Sequence, residues 1–163
     1  MSIMPYNREA AINYAHKWAN ARNPKYANFD DMGGDCTNFS SQCLFAGTGV
    51  TNHTKDTGWY YYTLNNRAPA WTSVKYFYIF LIKNKGPGPF GHEVAIHEIC
   101  EGDFVQLKFD TQFSHTPFIV SVGKPFGVGS ILVAAHTVDC DYRPLNTYDF
   151  NDIRFIHIDG YRT

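Results

Sequence analysis

The sequence has few charged residues and no segment dominated by one sign of charge. Its charged fraction is 18%, its formal net charge is −1, and it contains no run of lysines or arginines. Nucleic-acid-binding proteins generally present a basic stripe, so we expect no nucleic-acid partner. No stretch approaches the ~20 apolar residues of a membrane-spanning helix, so we expect no membrane insertion. The opening segment MSIMPYNREAA lacks the basic and apolar regions of a signal peptide, so none is predicted in this sequence.

Cysteine is also scarce, with four residues at positions 36, 43, 100 and 140. The chain has 163 residues, of which 44% are hydrophobic. This supplies enough apolar material for one core, so we predict a single domain over residues 1–163 that needs no disulfide. If Cys36 and Cys43 share a helix, their Cα atoms lie ~10 Å apart, which is beyond disulfide reach. We therefore predict four free thiols.

Helical patterns occupy the first half of the chain. The segment YNREAAINYAHKWANAR has apolar residues at helical spacing, with Asn7 as the N-cap. A second helix is predicted from Cys36, with Gly47 and Gly49 closing it. A third is predicted in TSVKYFYIFLIKNK, beginning at Thr72 or Ser73 and stopping before GPGP.

Strand patterns follow in the second half, in DFVQLKFD, HTPFIVSVG, ILVAAHT and IRFIHI. Helices followed by strands predict an α+β fold in which the early helices pack on an antiparallel sheet. His115 opens the second of these segments, and His136 ends the third. If the two segments form a hairpin, both imidazoles approach the same end of the sheet.

Cys36, within GGDCTNFSSQC, is the main candidate for chemistry. In the first turn of a helix, unpaired N–H groups and the helix dipole favour the thiolate and lower a pKa that is ~8.5 in free cysteine. Gly33 and Gly34 would leave room for a substrate backbone. The alternative is that Cys36 is only a buried side chain, which is the usual place of cysteine.

A thiolate also needs a general base. Among the seven histidines, His115 is the best placed, because it follows a polar turn at a strand end. A zinc site formed by Cys36, His115, His136 and Cys140 is a competing interpretation. No pair among these four has the short spacing typical of structural zinc, so we expect no metal ligands and no cofactor.

Aromatic residues, including GWYYY and Trp71, make up 17% of the chain. They either line a groove for a sugar or peptide or belong to the core.

The motif DCTNFSSQCLF resembles the DCSGLV motif of the NlpC-type cell-wall peptidases, a papain-like superfamily that includes the CHAP amidases. In the same order, EGDFVQL resembles their GD strand, SHTPFIV the histidine strand, and ILVAAHT the strand with a third polar residue. The chain is still more similar to the putative amidase domain family of bacteria. That family shares the segments YNREAAINYAHKWA, NPKY, GGDCTNFSSQC, GWYY, AWTSV and AAHT. The resemblance extends from Tyr6 to about Ile158 and implies a papain-like, NlpC-type fold.

The resemblance implies that Cys36 is the nucleophile and that His115 is the general base and acid. The third residue, which orients the imidazole, falls on the strand ending at His136. We favour a neutral His136 over Asp139 for hydrogen-bonding the far nitrogen of His115. Asp35 either helps to shape the oxyanion site beside the Cys36 N–H or is only the N-cap of the helix.

The function implied by the resemblance is a cysteine amidase or peptidase that cleaves an amide bond of bacterial peptidoglycan through an acyl-enzyme on Cys36. The cleaved bond would be the muramoyl-L-alanine bond or a bond within the stem or cross-bridge peptide. Such a protein, for example a phage endolysin, would act at the bacterial cell wall after secretion or phage release. We expect a monomer whose partner is peptidoglycan or another peptide amide. Two alternatives stay open: an acyltransferase on the same fold, and a catalytically silent wall-binding or interaction module.

Overall fold

The computed structural model describes residues 1–163. The helices are α1 (Arg8–Trp18), α2 (Cys36–Thr48), α3 (Pro69–Thr72) and α4 (Val74–Lys83). The strands are β1 (Ile3–Met4), β2 (Tyr61–Thr63), β3 (Asn66–Arg67), β4 (Gly88–Val94), β5 (Phe104–Lys108), β6 (Phe113–His115), β7 (Phe118–Val122), β8 (Ile131–Ala135), β9 (Cys140–Pro144) and β10 (Asp152–Arg162). None of the helices combines the length and the apolar character needed to cross a membrane.

Helix α1 begins as the sequence predicted. The Asn7 side chain accepts a hydrogen bond from the Ala10 N–H at 3.0 Å, which confirms the predicted N-cap. Ala11 and Ala15 on this helix are fully buried. Their small side chains allow α1 to approach α2 closely, and this contact brings the end of α1 near the start of α2.

Helix α2 begins at Cys36 as predicted, and Gly49 ends it in the left-handed conformation (φ 66°), whereas Gly47 lies inside the helix. The sequence predicted one apolar face, but almost every residue of α2 is buried. This is because α1, α3 and the sheet all pack around it. Buried polar groups on such a helix need partners, and Ser41 Oγ, for example, donates to the Trp71 carbonyl at 2.8 Å.

The third predicted helix is α4, which begins at Val74 with Ser73 as its N-cap, whereas the short α3 before it was not predicted. The Ser73 side chain accepts from the Tyr76 N–H at 3.3 Å and so caps α4. Helix α4 ends at Lys83, before GPGP, as predicted. The GPGP segment itself leads into β4, which the sequence did not predict.

The fold is α+β, as predicted, and its main sheet is curled and antiparallel. The strand order is β1-β10-β5-β7-β8-β9, with β4 pairing β10 and β6 pairing β5. All four predicted strand segments are present, but HTPFIVSVG spans the end of β6 and all of β7. Pro117 has no N–H to donate and separates these two strands. Strands β1 and β9 and the small hairpin of β2 and β3 were not predicted.

Strands β7 and β8 form the predicted hairpin, with Phe118 opposite Ala134 and Ile119 opposite Val133. The residues before β7 and after β8 therefore lie at the same end of the sheet. On one face of the sheet, the helices contribute to a core cluster of 19 buried residues. A second, separate cluster contains 8 buried residues. All four cysteines are free, as predicted.

Two tryptophans belong to the larger cluster rather than to a ligand groove. Trp59 and Trp71 are 0% and 1% exposed, respectively. Their indole N–H groups donate to Ser41 Oγ and to Asn38 Oδ1, both at 3.0 Å. For these two residues, the groove interpretation of the aromatic segments is wrong.

Candidate active site

Cys36 is the first residue of α2, and its side chain is buried, with 7% of the residue exposed. The backbone N–H groups of Thr116 and Thr37 point at its sulfur, and Thr37 Oγ1 lies 3.8 Å from Sγ. Burial raises the pKa of the thiol and outweighs these hydrogen bonds. The sequence-based expectation of a lowered pKa is therefore wrong, and the resting thiol is protonated.

The backbone N–H of Cys36 has no hydrogen-bond partner within the protein. The first N–H groups of a helix lack an intrahelical acceptor, so this donor is free for a ligand. A free N–H beside a nucleophilic sulfur can stabilise the oxyanion formed during acyl transfer.

Asp35 occupies the N-cap position, but its side chain makes no capping hydrogen bond to α2. Its own N–H donates to Thr137 Oγ1 at 2.9 Å, so this group is not free for an oxyanion either. Asp35 is therefore the N-cap by position but without a side-chain cap, and its contacts show no donor free for an oxyanion.

The Asp35 carboxylate turns instead into the protein interior. Oδ1 accepts from the Phe29 N–H at 2.8 Å and from Asn38 Nδ2 at 2.9 Å, and Oδ2 lies 2.6 Å from His136 Nδ1. Burial alone would raise the pKa of this carboxyl. The hydrogen bonds from His136, Asn38 and Phe29 outweigh burial and hold its pKa below the usual value, so Asp35 is ionised.

His136 is 1% exposed, and its ring stacks on Phe39 with centroids 4.1 Å apart. Nδ1 faces the Asp35 carboxylate, and Nε2 lies 2.7 Å from the Trp18 carbonyl oxygen. Both ring nitrogens are therefore engaged, one by a carboxylate and the other by a backbone carbonyl. Neither nitrogen is left to bond to His115. The expected bond between His136 and His115 is therefore not formed.

Asp139, the other candidate for orienting His115, is engaged elsewhere. Its two carboxylate oxygens accept from Nη1 and Nη2 of Arg22 at 2.8 and 2.9 Å. Arg22 also pairs with Asp30 at 2.8 Å, and its Nε lies 3.3 Å from Asp35 Oδ2. Sequence reasoning missed Arg22, since a single arginine in a polar segment gives no sign that it gathers three carboxylates.

His115 lies at the end of β6 and is partly buried, with its ring 5.4 Å from that of Tyr148. Burial, together with the positive charge of Arg143, lowers the pKa of His115 to about 4. The imidazole is therefore neutral near pH 7 and able to accept a proton. No hydrogen bond joins it to Cys36 Sγ, but the next residue along the chain, Thr116, is the one whose N–H points at that sulfur.

Thr116 ties the segment that carries His115 to α2. Its Oγ1 lies 3.2 Å from Thr37 Oγ1, and its carbonyl accepts from Ser40 Oγ at 2.6 Å. Gln106 Nε2 donates to the same Thr116 Oγ1 at 3.2 Å. Sequence reasoning missed Thr37, Thr116 and Gln106. The only signal in the sequence was that Thr37 follows Cys36 and Thr116 follows His115.

The four residues of the zinc alternative do not form a common site. Both ring nitrogens of His136 are engaged as described, and Cys140 Sγ lies 3.5 Å from the Tyr148 hydroxyl. Three other metal-ligating side chains do converge within 4.8 Å: Cys100, Asp103 and His157.

This second group is organised around Asp103, the acid of EGDFVQL. Its Oδ1 pairs with Arg8 Nη1 at 2.7 Å, and its Oδ2 lies 2.8 Å from His157 Nδ1. The Ile158 and Cys100 N–H groups donate to the same carboxylate. The guanidinium already supplies the positive charge that this buried carboxylate needs. The group therefore links α1 to the sheet.

The fold and the site thus define an α+β protein with a buried cysteine at a helix start. The profile described as "Putative amidase domain" matches residues 5–158, so the chain belongs to the putative amidase domain family, as the resemblance implied. The description of this family indicates an amidase-like hydrolase.

One curated relative is the uncharacterized protein YhbB of Bacillus subtilis strain 168, which is 34% identical over 143 residues. The alignment covers 85% of this chain but 43% of the relative, so the chain spans less than half of that protein's length. No solved structure matches the chain.

Proposed function

We propose that the chain is a papain-like, NlpC-type cysteine hydrolase that cleaves an amide bond of bacterial peptidoglycan at the cell wall. The observation that carries the proposal is the position of Cys36. Its thiol begins a helix, its own N–H is free, and the strand end that bears His115 packs beside it. This combination offers a nucleophile, an oxyanion donor and a neutral base within one short stretch of structure.

The protonation states define how the reaction would start. Cys36 is a neutral thiol and His115 a neutral imidazole, so the sulfur loses its proton to His115 as it attacks the amide carbon. Catalytic hydrogen bonds are often long without substrate and shorten when it binds, so His115 is expected to approach Sγ in the complex. The Cys36 N–H would then donate to the carbonyl oxygen as that atom becomes negative.

The following steps use the same groups. The tetrahedral intermediate collapses, the C–N bond breaks, and the proton on His115 passes to the leaving amine. A water molecule then gives a proton to His115 and attacks the thioester, which releases the acid and restores the thiol. Asp35 and His136 act as positioning residues in this scheme, because their ion pair holds the segment that leads into Cys36.

A catalytically silent wall-binding module is the second candidate. It is favoured by the low exposure of Cys36, by the raised pKa of its thiol and by the absence of a hydrogen bond to His115. A binding module would retain the fold without cleaving any bond.

Digestion of purified bacterial walls, followed by mass spectrometry of the released muropeptides, tests the proposal. We expect new amine and carboxyl termini with the wild-type protein and none with Cys36→Ser, whereas the matched variant Cys140→Ser should cleave like wild type. Wall binding without cleavage would favour the silent module. Cleavage retained by Cys36→Ser would remove Cys36 from the nucleophile role, and new amide products with an added amine would indicate an acyltransferase.

A further inference from the structure

The group around Asp103 has a feature that its structural role does not explain. The ligand atoms of Cys100, Asp103 and His157 all lie within 4.8 Å of one another. The ion pair with Arg8 accounts for Oδ1 of the carboxylate, but the thiol and the imidazole both face the other oxygen, Oδ2. Thiolate sulfur, imidazole nitrogen and carboxylate oxygen are the three kinds of donor that bind Zn²⁺ in proteins.

The backbone brings these three side chains together. Cys100 and Asp103 share one turn, in which the Asp103 N–H donates to the Cys100 carbonyl at 3.1 Å. The Cys100 N–H donates back to Asp103 Oδ2 at 2.9 Å. Strand β10 passes beside this turn, because Ile156 is the register partner of Phe104 and the next residue, His157, reaches Asp103. The ligand atoms therefore come from a hydrogen-bonded turn and from a strand that is paired on both sides.

The distances between the ligand atoms are close to those of a tetrahedral site. Asp103 Oδ2 lies 3.6 Å from Cys100 Sγ and 2.8 Å from His157 Nδ1, and Sγ lies 4.0 Å from Nδ1. Zinc–ligand bonds of about 2.0–2.3 Å at tetrahedral angles place such atoms about 3.3–3.6 Å apart, so each separation would change by about 0.5 Å or less. Cys100 is partly exposed and the His157 side chain is 27% exposed, so water can reach a fourth position.

The other contacts of Asp103 hold its carboxylate in place. Oδ1 accepts from Arg8 Nη1 at 2.7 Å and from the Ile158 N–H at 3.0 Å, which leaves the orientation of Oδ2 fixed. Arg8 also donates to the carbonyl oxygens of Glu101 and Ile158, both at 2.8 Å, so the guanidinium keeps acceptors of its own. Outer contacts that orient a ligand in this way are typical of metal sites in proteins.

The cysteine distinguishes this site from the other histidine–carboxylate pairs. His16 pairs with Asp141 at 2.7 Å and is exposed to a similar degree as His157, with 28% of its side chain accessible. No third metal-ligating side chain joins that pair. The pair of His16 and Asp141 therefore provides a matched control within the same chain.

We propose that Cys100, Asp103 and His157 bind a zinc ion, with water as the fourth ligand. This proposal departs from the sequence-based expectation of no metal ligand, and it does not depend on the chemistry of Cys36. The thiol would lose its proton to water, and the neutral imidazole would bind through Nδ1 and carry its proton on Nε2, which has no partner in the protein. The ion would connect the turn at Cys100 to β10 and stabilise the folded state, where the three ligands meet.

Titration of the whole chain with Co²⁺ tests the site, because Co²⁺ can replace Zn²⁺ and its bond to a thiolate gives a charge-transfer absorption. We expect this absorption in the wild-type protein and its loss when Zn²⁺ is added. Cys100→Ser should abolish the absorption. His157→Gln should weaken Co²⁺ binding by more than about tenfold, since even residues that only orient a metal ligand contribute about 10–100-fold. Zn²⁺ should also raise the urea midpoint of the wild-type protein but not that of Cys100→Ser.

Three control variants should bind Co²⁺ like the wild-type protein. Cys36→Ser and Cys140→Ser each remove another thiol, and His16→Gln removes the histidine of the matched pair.

The remaining outcomes overturn the inference. No thiolate absorption in the wild-type protein, or no effect of Zn²⁺ on its urea midpoint, would exclude the site. Absorption that survives Cys100→Ser, or that is lost in Cys36→Ser, would place the ion on another thiol. Absorption lost in Cys100→Ser but unchanged in His157→Gln would show an adventitious ion only. If His157→Gln does not fold, Cys100→Ser and the effect of Zn²⁺ on the urea midpoint decide.

Discussion

Asp35 and His136 form a buried ion pair in which Oδ2 and Nδ1 are 2.6 Å apart, directly before Cys36 in the chain. The other ring nitrogen of His136, Nε2, lies 2.7 Å from the Trp18 carbonyl oxygen at the end of α1. The pair therefore joins α1, the segment leading into α2, and the chain after β8. It stabilises the position of Cys36 without contacting His115.

Replacing His136 by alanine should therefore act first on stability. The substitution leaves the Asp35 carboxylate buried without its main partner, and breaking such a pair costs about 3–5 kcal/mol in free energy of unfolding. His136→Asn should recover part of the loss, because an amide N–H can still donate to the carboxylate. Urea unfolding at pH 7, monitored by circular dichroism, gives the free energy of unfolding of the wild-type protein, His136→Ala and His136→Asn.

Asp139→Ala is the matched control for this prediction. Asp139 binds Arg22 near the surface, and such pairs contribute about 0–1 kcal/mol. A severe loss with Asp139→Ala and a mild one with His136→Ala would contradict the importance of the buried pair.

Much of the fold could be predicted because its signals are local. Asn7 and Gly49 delimit their helices through contacts within a few residues. Strand β4 could not be predicted, since GPGP is typical of a breaker and the pairing that makes it a strand comes from β10. A Cβ at Gly91 would lie 2.1 Å from the His157 carbonyl oxygen, so this glycine is required by a close approach that only the tertiary structure reveals.

The candidate site was predictable only in part. The helix start at Cys36 and the hairpin of β7 and β8 follow from local patterns. The hydrogen-bond partners of His136 are Asp35 and the Trp18 carbonyl, which are 101 and 118 residues away in sequence. The raised pKa of the Cys36 thiol likewise depends on burial by distant elements, whereas the helix start alone suggested the opposite direction.

Alkylation of Cys36 should be slow in the absence of substrate. Burial raises the pKa of its thiol, so the thiolate that reacts with iodoacetamide is rare near pH 7. We expect Cys36 to label more slowly than a free cysteine and its rate to increase as the pH rises. Peptide mass spectrometry after timed labelling measures each thiol separately, with the less buried Cys140 as an internal comparison. Labelling of Cys36 at the rate of free cysteine would show an accessible thiol instead.

Asp103 is expected to be essential for folding rather than for chemistry. Asp103→Ala removes the buried acceptor of Arg8, of His157 and of the Ile158 N–H, and should destabilise the protein by about 3–5 kcal/mol. Asp159→Ala is the control, because Asp159 pairs with an exposed histidine, His92, and should change stability by less than about 1 kcal/mol. Urea unfolding midpoints compare the two variants. Similar midpoints would show that Arg8 and His157 are satisfied without Asp103.

The pH dependence of activity should reflect the neutral state of His115. Burial and the charge of Arg143 lower its pKa to about 4, so kcat/KM should fall as the pH drops through about 4. An ordinary histidine would place this loss near pH ~6.5. Below pH ~6.5 the unfolded chain binds more protons at this residue than the folded chain does, so the stability of the fold also falls toward pH 4. The activity, kcat/KM, must therefore be measured only at pH values where circular dichroism shows the folded state.

Arg143→Gln tests the cause of this shift. The substitution removes a positive charge that opposes protonation of His115, so the acidic loss of kcat/KM should move to higher pH. Arg143 Nε also donates to Thr147 Oγ1 at 2.7 Å, and Thr147→Ala removes that contact while keeping the charge. Thr147→Ala should therefore leave the pH profile of kcat/KM unchanged. A loss of kcat/KM near pH ~6.5 in the wild-type protein would mean that His115 is solvated in the reacting enzyme. An identical shift of the pH profile in both variants would show that local structure, not the charge of Arg143, causes the effect.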